Sequence, residues 1–125
     1  MTQALTENQT RWLAELRSGN YKQGKGALHR GDEFCCLGVA AKMFATGDTR
    51  VTLAPAVDPE HKVVSYDRNT AMAPPYVVEA LGLHDYLGVG LAHSSLSSLN
   101  DRGNSFNHIA DLIESDPGIY FKCQS

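Results

Sequence analysis

The sequence predicts an α+β fold: a single compact domain with about five helices around a short antiparallel sheet or hairpin. Three observations carry that prediction. Helix-capping residues followed by apolar positions at helical spacing recur along the whole chain. The β-branched and aromatic runs are short and fenced by Gly, Pro and Asp. The 125 residues contain no linker, internal repeat or low-complexity stretch, so residues 1–125 read as one domain around one core.

Thr6-x-x-Gln9 is a capping box, with the threonine hydroxyl offered to the third helical amide and Gln9 reaching back. Trp12, Leu13 and Leu16 make one apolar face, and Ser18-Gly19-Asn20 supplies a stop, so the first helix runs over roughly 7–18. Residues 26–30 read as a short strand, turned by Gly31-Asp32. A second helix is expected to start at Asp32 or Glu33 and to run through Phe34, Leu37, Val39, Met43 and Phe44 until Thr46-Gly47-Asp48. Being apolar nearly all round, it belongs at the centre of the core, and Gly38 within it marks a close approach by another element.

Val51–Leu53 and Lys62–Tyr66 suggest an irregular hairpin around the turn-rich segment Pro55–Glu60. Pro74-Pro75 opens a third helix that Gly82 closes, and Gly88-Val89-Gly90 reads as a loop. Ser94 or Ser95 caps a fourth helix ending at Asn100-Asp101-Arg102-Gly103; Ser105 caps a fifth with Phe106, Ile109, Ala110, Leu112 and Ile113 inward. Asp116-Pro117-Gly118 then turns the chain into a last strand, Ile119-Tyr120-Phe121.

Composition narrows the function classes. Hydrophobic content of 42% and charged content of 20% are ordinary for a soluble domain, and a net charge of −3 argues against a general nucleic-acid binder. The charge is uneven: residues 1–50 carry seven Lys/Arg against five Asp/Glu, and 51–125 carry four against nine. That asymmetry suits an anionic ligand near the first half, or head-to-tail self-association into a homo-oligomer. There is no signal-peptide pattern at Met1–Leu5 and no membrane-length apolar run. Three cysteines, two of them adjacent, imply no disulfide framework, so a reduced, cytoplasmic protein is expected.

The strongest site signal is the loop Tyr21–Gly31, where Gly24 and Gly26 let backbone approach a ligand and Lys22, Lys25 and Arg30 offer charge to phosphate. No Walker loop is present, and the same pattern also builds an ordinary turn. Asp32 and Glu33, read as the first turn of the second helix, would push an anion off the helix tip and onto the glycines. After the hairpin, Tyr66, Asp67, Arg68 and Asn69 form a second polar set, in which Tyr66 and Arg68 suit a base or sugar. Cys35, near a helix N-terminus and close in sequence to His29, is a candidate nucleophile; followed by Leu-Gly-Val-Ala-Ala, it also reads as a small buried hydrophobe. No zinc-type spacing links Cys35, Cys36, Cys123 and the five histidines, and His108 with Asp111 is explained by an exposed helix face, so no metal or cofactor is expected. Residues 96–113 have the grammar of two helix-turn-helix helices, but Glu114, Asp116, Pro117 and Gly118 follow where a basic recognition helix belongs.

Three motifs stand out together: Trp12-Leu13-x-x-Leu16-Arg17-Ser18-Gly19-x-Tyr21-x-Gln23-Gly24-x-Gly26-x-Leu28, then Phe34-Cys35-Cys36-Leu37-Gly38-Val39, then Leu99-Asn100-Asp101-x-Gly103-x-Ser105-Phe106-x-x-Ile109-Ala110. They resemble a family of small accessory proteins of tailed bacteriophages and prophages. The resemblance covers residues 12–39 and 96–114 and brings no catalytic residues. It implies a setting, the cytoplasm of an infected bacterium, where small proteins inhibit host systems or sequester signals. The combined expectation is binding rather than catalysis, with a small phosphorylated ligand such as a nucleotide held by Lys22, Gly24, Lys25, Gly26, Arg30, Tyr66 and Arg68. The alternatives are a protein–protein inhibitor of a host enzyme, using the acidic C-terminal half, and a thiol-dependent enzyme using Cys35.

Overall fold

A computed structural model describes residues 5–47, 51–54, 62–90 and 94–122. The order of elements is α1 (Glu7–Arg17), β1 (Lys22–Gln23), β2 (His29–Arg30), β3 (Glu33–Phe34), α2 (Cys36–Gly47), β4 (Leu53–Ala54), β5 (Ser65–Tyr66), α3 (Pro75–Leu81), α4 (Leu96–Asp101), α5 (Phe106–Ser115) and α6 (Pro117–Tyr120). The fold is α+β, as its sequence predicts.

The capping box forms as read: the Gln9 amide donates to Thr6 Oγ1 at 3.1 Å, and the Thr6 amide donates to Gln9 Oε1 at 2.9 Å. Gln9 does more than cap. It is fully buried, and its Nε2 donates to the Leu81 carbonyl at 2.7 Å, tying α1 to the end of α3. Trp12 packs edge-on against Phe121 and donates its indole N–H to the Cys36 carbonyl at 3.0 Å, so the apolar face of α1 sits on the start of α2. Arg17 holds α1 to α5 from outside through Asp111 and Glu114, at 2.7 and 3.2 Å.

Helix α2 is the buried centre, with Cys36, Leu37, Val39, Ala40 and Ala41 wholly enclosed. It begins at Cys36 rather than at Asp32 or Glu33, because Glu33 and Phe34 are taken by a sheet. β3 pairs parallel to β1, with Lys22 opposite Glu33, and antiparallel to β2, with Arg30 opposite Glu33, giving the order β1-β3-β2. The sheet is therefore mixed, not wholly antiparallel. Only His29–Arg30 of the strand expected over residues 26–30 is extended, since Gly26 takes φ +78° and Leu28 donates instead to the Thr70 carbonyl at 2.7 Å.

β4 and β5 form the expected antiparallel pair, and the Arg30–Val63 bridge connects it to the first sheet. The turn expected over residues 55–60 and the stop at Asp48 lie outside the described residues. α3 starts at Pro75 and ends on Gly82 at φ +75°; Ser95, not Ser94, caps α4, and Ser105 caps α5. The expected final strand is instead the short helix α6, since Pro117 fits a helical first turn and only Phe121 makes a bridge, to Leu83. α6 has four residues, too few to enter a DNA groove after the α4–α5 pair.

Candidate functional site

The glycine loop is held by the protein's own polar groups. The Gly24 amide donates to the Phe34 carbonyl at 2.7 Å, and the Gly24 carbonyl accepts from Asn100 Nδ2 at 2.8 Å. The Gly26 amide donates to a carboxylate oxygen of Asp101 at 3.0 Å. That is the geometry expected of an anion on a glycine loop, but the anion is a side chain of α4. Lys25 reaches over the α4–α5 turn, where a Cβ on Gly103 would lie 3.7 Å from its Nζ.

Asn100 is the centre of this clamp. It is fully buried, and besides Gly24 it accepts from the Cys36 amide at 3.1 Å and from Gln23 Nε2 at 2.9 Å. Gln23 Nε2 also donates to the Asn104 carbonyl at 2.6 Å. The three motifs singled out from the sequence thus meet in one hydrogen-bond network joining β1, the start of α2 and the end of α4. A buried network of this kind, with its members satisfied, fixes one arrangement of the elements around it.

The other expected ligand residues are dispersed. Lys22 stands 3.9 Å from both Asp32 and Glu33, all three substantially exposed, so these pairs add little stability. Arg30 is exposed on β2 beside Val63. Tyr66 contradicts the expectation directly: it is fully buried, and its hydroxyl lies 2.8 Å from His29 Nδ1. His29 Nε2 lies 2.8 Å from the Gly31 carbonyl, which can only accept, so Nε2 carries the proton and Nδ1 accepts from Tyr66 Oη. The His29 ring stacks on Phe34 at 4.0 Å, and burial holds its pKa below the usual histidine value, helped by the charge of Lys42. Tyr66 offers no face to a base.

Cys35 has a structural task. It immediately precedes α2, and its Sγ accepts from the Gly38 amide at 3.3 Å, three residues on, where a serine or aspartate cap oxygen would act. Burial pushes its thiol up to about 11, and Cys36, deeper still and donating to the Leu96 carbonyl at 3.5 Å, is pushed well above the ordinary thiol range. Both nitrogens of His29 are committed elsewhere, so His29 does not serve Cys35 as a base. These surroundings oppose the thiol-enzyme reading. In the native protein at pH 7.5, Cys35 and Cys36 will react with iodoacetamide more than about 100-fold slower than in urea. Peptide mapping of both sites after timed quenching checks this; native labelling of Cys35 within minutes would restore the thiol reading.

Beside β4 and β5 a hollow of about 470 Å³ is open to solvent, lined by Thr52, Ala54, Ser65, Asp67 and Arg68. Its wall is a two-residue hairpin turn. Tyr66 and Asn69 exchange backbone hydrogen bonds at 2.8 and 2.9 Å, while Asp67 and Arg68 between them take φ +49° and +70°. This is the turn normally made by Asn-Gly, because both central residues need positive φ. An arginine in the left-handed region costs roughly 1–2 kcal/mol relative to an unstrained position. Asp67 is fastened by a carboxylate oxygen accepting from the Thr52 amide at 2.8 Å. Arg68 is exposed, at a volume ordinary for a small-molecule site. The polar set after the hairpin was visible in the sequence; Thr52 and Ser65 were not, since only pairing of β4 with β5 brings them there.

Among the described residues, no group of three or more His, Cys, Asp or Glu side chains is placed to hold a metal ion, and no helix is long and apolar enough to cross a membrane. A family model described as a domain of unknown function, DUF8296, matches residues 3–117. The chain belongs to this family. The match includes all three motifs of the clamp and the hollow at Arg68. No curated protein and no solved structure matches the chain.

Proposed function

We propose that this DUF8296 protein is a non-catalytic binding protein that sequesters a small phosphorylated ligand of the nucleotide class, and that Arg68 is its anchor. The observation that carries the reading is the left-handed backbone of Arg68 at φ +70° on the rim of an open polar hollow. Strain of this kind persists where something other than stability favours the residue. A guanidinium takes two phosphate oxygens at once. The Ser65 and Thr52 hydroxyls supply further donors, and the Asp67 carboxylate oxygen not bonded to Thr52 suits sugar hydroxyls. Gly24 and Gly26 leave the site in this reading, because their amides are bonded to Phe34 and Asp101. Lys22, Lys25 and Arg30 contribute long-range attraction only. The motif resemblance supports a bacteriophage or prophage accessory protein in the host cytoplasm, where capturing a nucleotide signal blunts a host response.

The test is a thermal-shift series with linear and cyclic nucleotides on wild type and on Arg68→Gly. A nucleotide at a hundred times its Kd adds about 2.7 kcal/mol to wild type, a rise in Tm on the order of 10 °C for a domain of this size. Arg68→Gly will gain up to about 1 kcal/mol without ligand, from relief of the left-handed strain, and will lose the ligand-induced rise. A series in which no nucleotide stabilises wild type ends the proposal.

A further inference from the structure

The two small sheets form one surface. Besides the Arg30–Val63 bridge, the Val64 amide donates to the His29 carbonyl and the Gly31 amide to the Lys62 carbonyl, each at 2.9 Å. The strands therefore follow one another across a single face in the order β1-β3-β2-β5-β4. Side chains paired across neighbouring strands share a face, as do alternate side chains along one strand. His29, Phe34, Val64 and Tyr66 take the inner face, against the core. Arg30, Val63, Ser65 and Ala54 consequently share the outer one, and the last two line the Arg68 hollow.

The hollow is thus one end of a longer track. At the other end Arg30 stands beside Lys62, whose Cδ lies 4.0 Å from where a Cβ on Gly31 would be. Lys62 takes φ +52°, so the described non-glycine residues with left-handed backbone, Lys62, Asp67 and Arg68, bracket the strand between them. Two of the three are cations, and backbone strain of this kind gathers at binding sites. Glu33 is paired opposite Arg30 but turns away from it. Its Oε2 lies 3.9 Å from Lys22 Nζ, and its Oε1 3.4 Å from where a Cβ on Gly24 would be. Among the described residues, Arg30, Lys62 and Arg68 have no ion-pair partner.

The steps from Val63 to Asp67 cover about 13 Å of extended chain. Phosphates joined directly to one another would gather at one end of such a track. Two phosphates with a nucleoside between them match both ends, with Val63 and Ser65 beneath the nucleoside. We propose that the ligand carries two phosphate groups separated by a nucleoside, as a 5′-phosphorylated dinucleotide does: Arg68 holds one, and Arg30 with Lys62 holds the other. The proposal rests on the reading of Arg68 as the phosphate anchor. Toward a phosphate at Arg68, Arg30 acts only from a distance; the second phosphate is the group that reaches it.

The experiment is isothermal titration calorimetry with AMP, ADP and the dinucleotide pApA, and with their guanine counterparts, at physiological salt. The proteins are wild type, Arg68→Gly, Arg30→Gln/Lys62→Asn and the charge-matched Arg11→Gln/Lys25→Gln, each first shown by circular dichroism to keep its fold. All six substituted side chains are exposed, and asparagine and glycine accept left-handed backbone, so folding is retained. Wild type is expected to bind the dinucleotide at least tenfold more tightly than the mononucleotides. That preference falls below threefold in Arg30→Gln/Lys62→Asn and persists in the charge-matched variant, while Arg68→Gly loses every ligand. A dinucleotide bound no more tightly than ADP, a preference kept in Arg30→Gln/Lys62→Asn, or one lost equally in both double variants overturns this inference and leaves Arg68 as anchor of a single phosphate. Binding that survives Arg68→Gly, or no binding to wild type, overturns the anchor and this inference together.

Discussion

Replacing Gly38 by alanine will lower folding stability by at least about 3 kcal/mol, at the upper end of what overpacking costs. A Cβ on Gly38 would lie 1.7 Å from the Leu28 carbonyl oxygen and 2.6 Å from its carbon, and both are backbone. Leu28 cannot retreat cheaply. Its amide is bonded to Thr70, its carbonyl accepts from the Cys35 amide at 3.2 Å, and its side chain is fully buried. The sign is the informative part. In an unconstrained helix interior the same substitution is stabilising by about 1 kcal/mol, because alanine is the better helix former. Urea denaturation of both proteins measures the difference; a neutral or stabilised variant would mean that α2 does not lie against Leu28 in this way.

Asn100→Ala will cost about 3 kcal/mol, since it takes a partner from three groups at once, on β1, the glycine loop and the start of α2. The Cys36 amide, the Gly24 carbonyl and Gln23 Nε2 all lose a partner. Asn100→Asp keeps the side-chain volume but turns an oxygen toward the Gly24 carbonyl and adds a charge beside Asp101. It will therefore be destabilised as well, which separates loss of the hydrogen bonds from loss of packing. Hydrogen exchange read at the Gly26 and Cys36 amides should accelerate in both variants, even under native conditions. A variant within about 0.5 kcal/mol of wild type would show that the clamp does not hold the three segments together.

These two sites explain which parts of the fold were legible in the sequence. Where a helix signals its own ends, as in Thr6 with Gln9, Ser105, or Pro75 with Gly82, the reading and the structure coincide. The start of α2 does not signal itself. Its cap is a thiol, and its first amide is satisfied by Asn100, 64 residues along the chain. Local spacing points instead to the nearest carboxylates, Asp32 and Glu33, which belong to a turn and a strand. The last segment differs from its sequence expectation for another reason: Ile119-Tyr120-Phe121 has strand composition, and the preceding Pro117 decides for a helical turn.

The same distinction governs the site. Gly24-Lys25-Gly26 has the composition of an anion-binding loop, and a carboxylate does occupy it, but it comes from Asp101, 75 residues away. Nothing local to the loop reveals that its ligand is intramolecular. Tyr66 and Arg68 are two residues apart and have opposite fates, since strand alternation turns one toward the core and the tight turn holds the other out. The polar cluster was legible as a cluster; which member faces solvent was set by the pairing of β4 with β5 and of β2 with Val63.

The most direct test of the account is a two-dimensional 1H–15N NMR titration of the 15N-labelled protein with the nucleotide that stabilises it best. Amide shifts are expected to concentrate at Thr52, Ser65, Asp67 and Arg68, with Gly24 and Gly26 unmoved because their hydrogen bonds are already made within the chain. Shifts concentrated at Lys22–Arg30, with the Arg68 turn silent, would contradict it and return the ligand to the glycine loop.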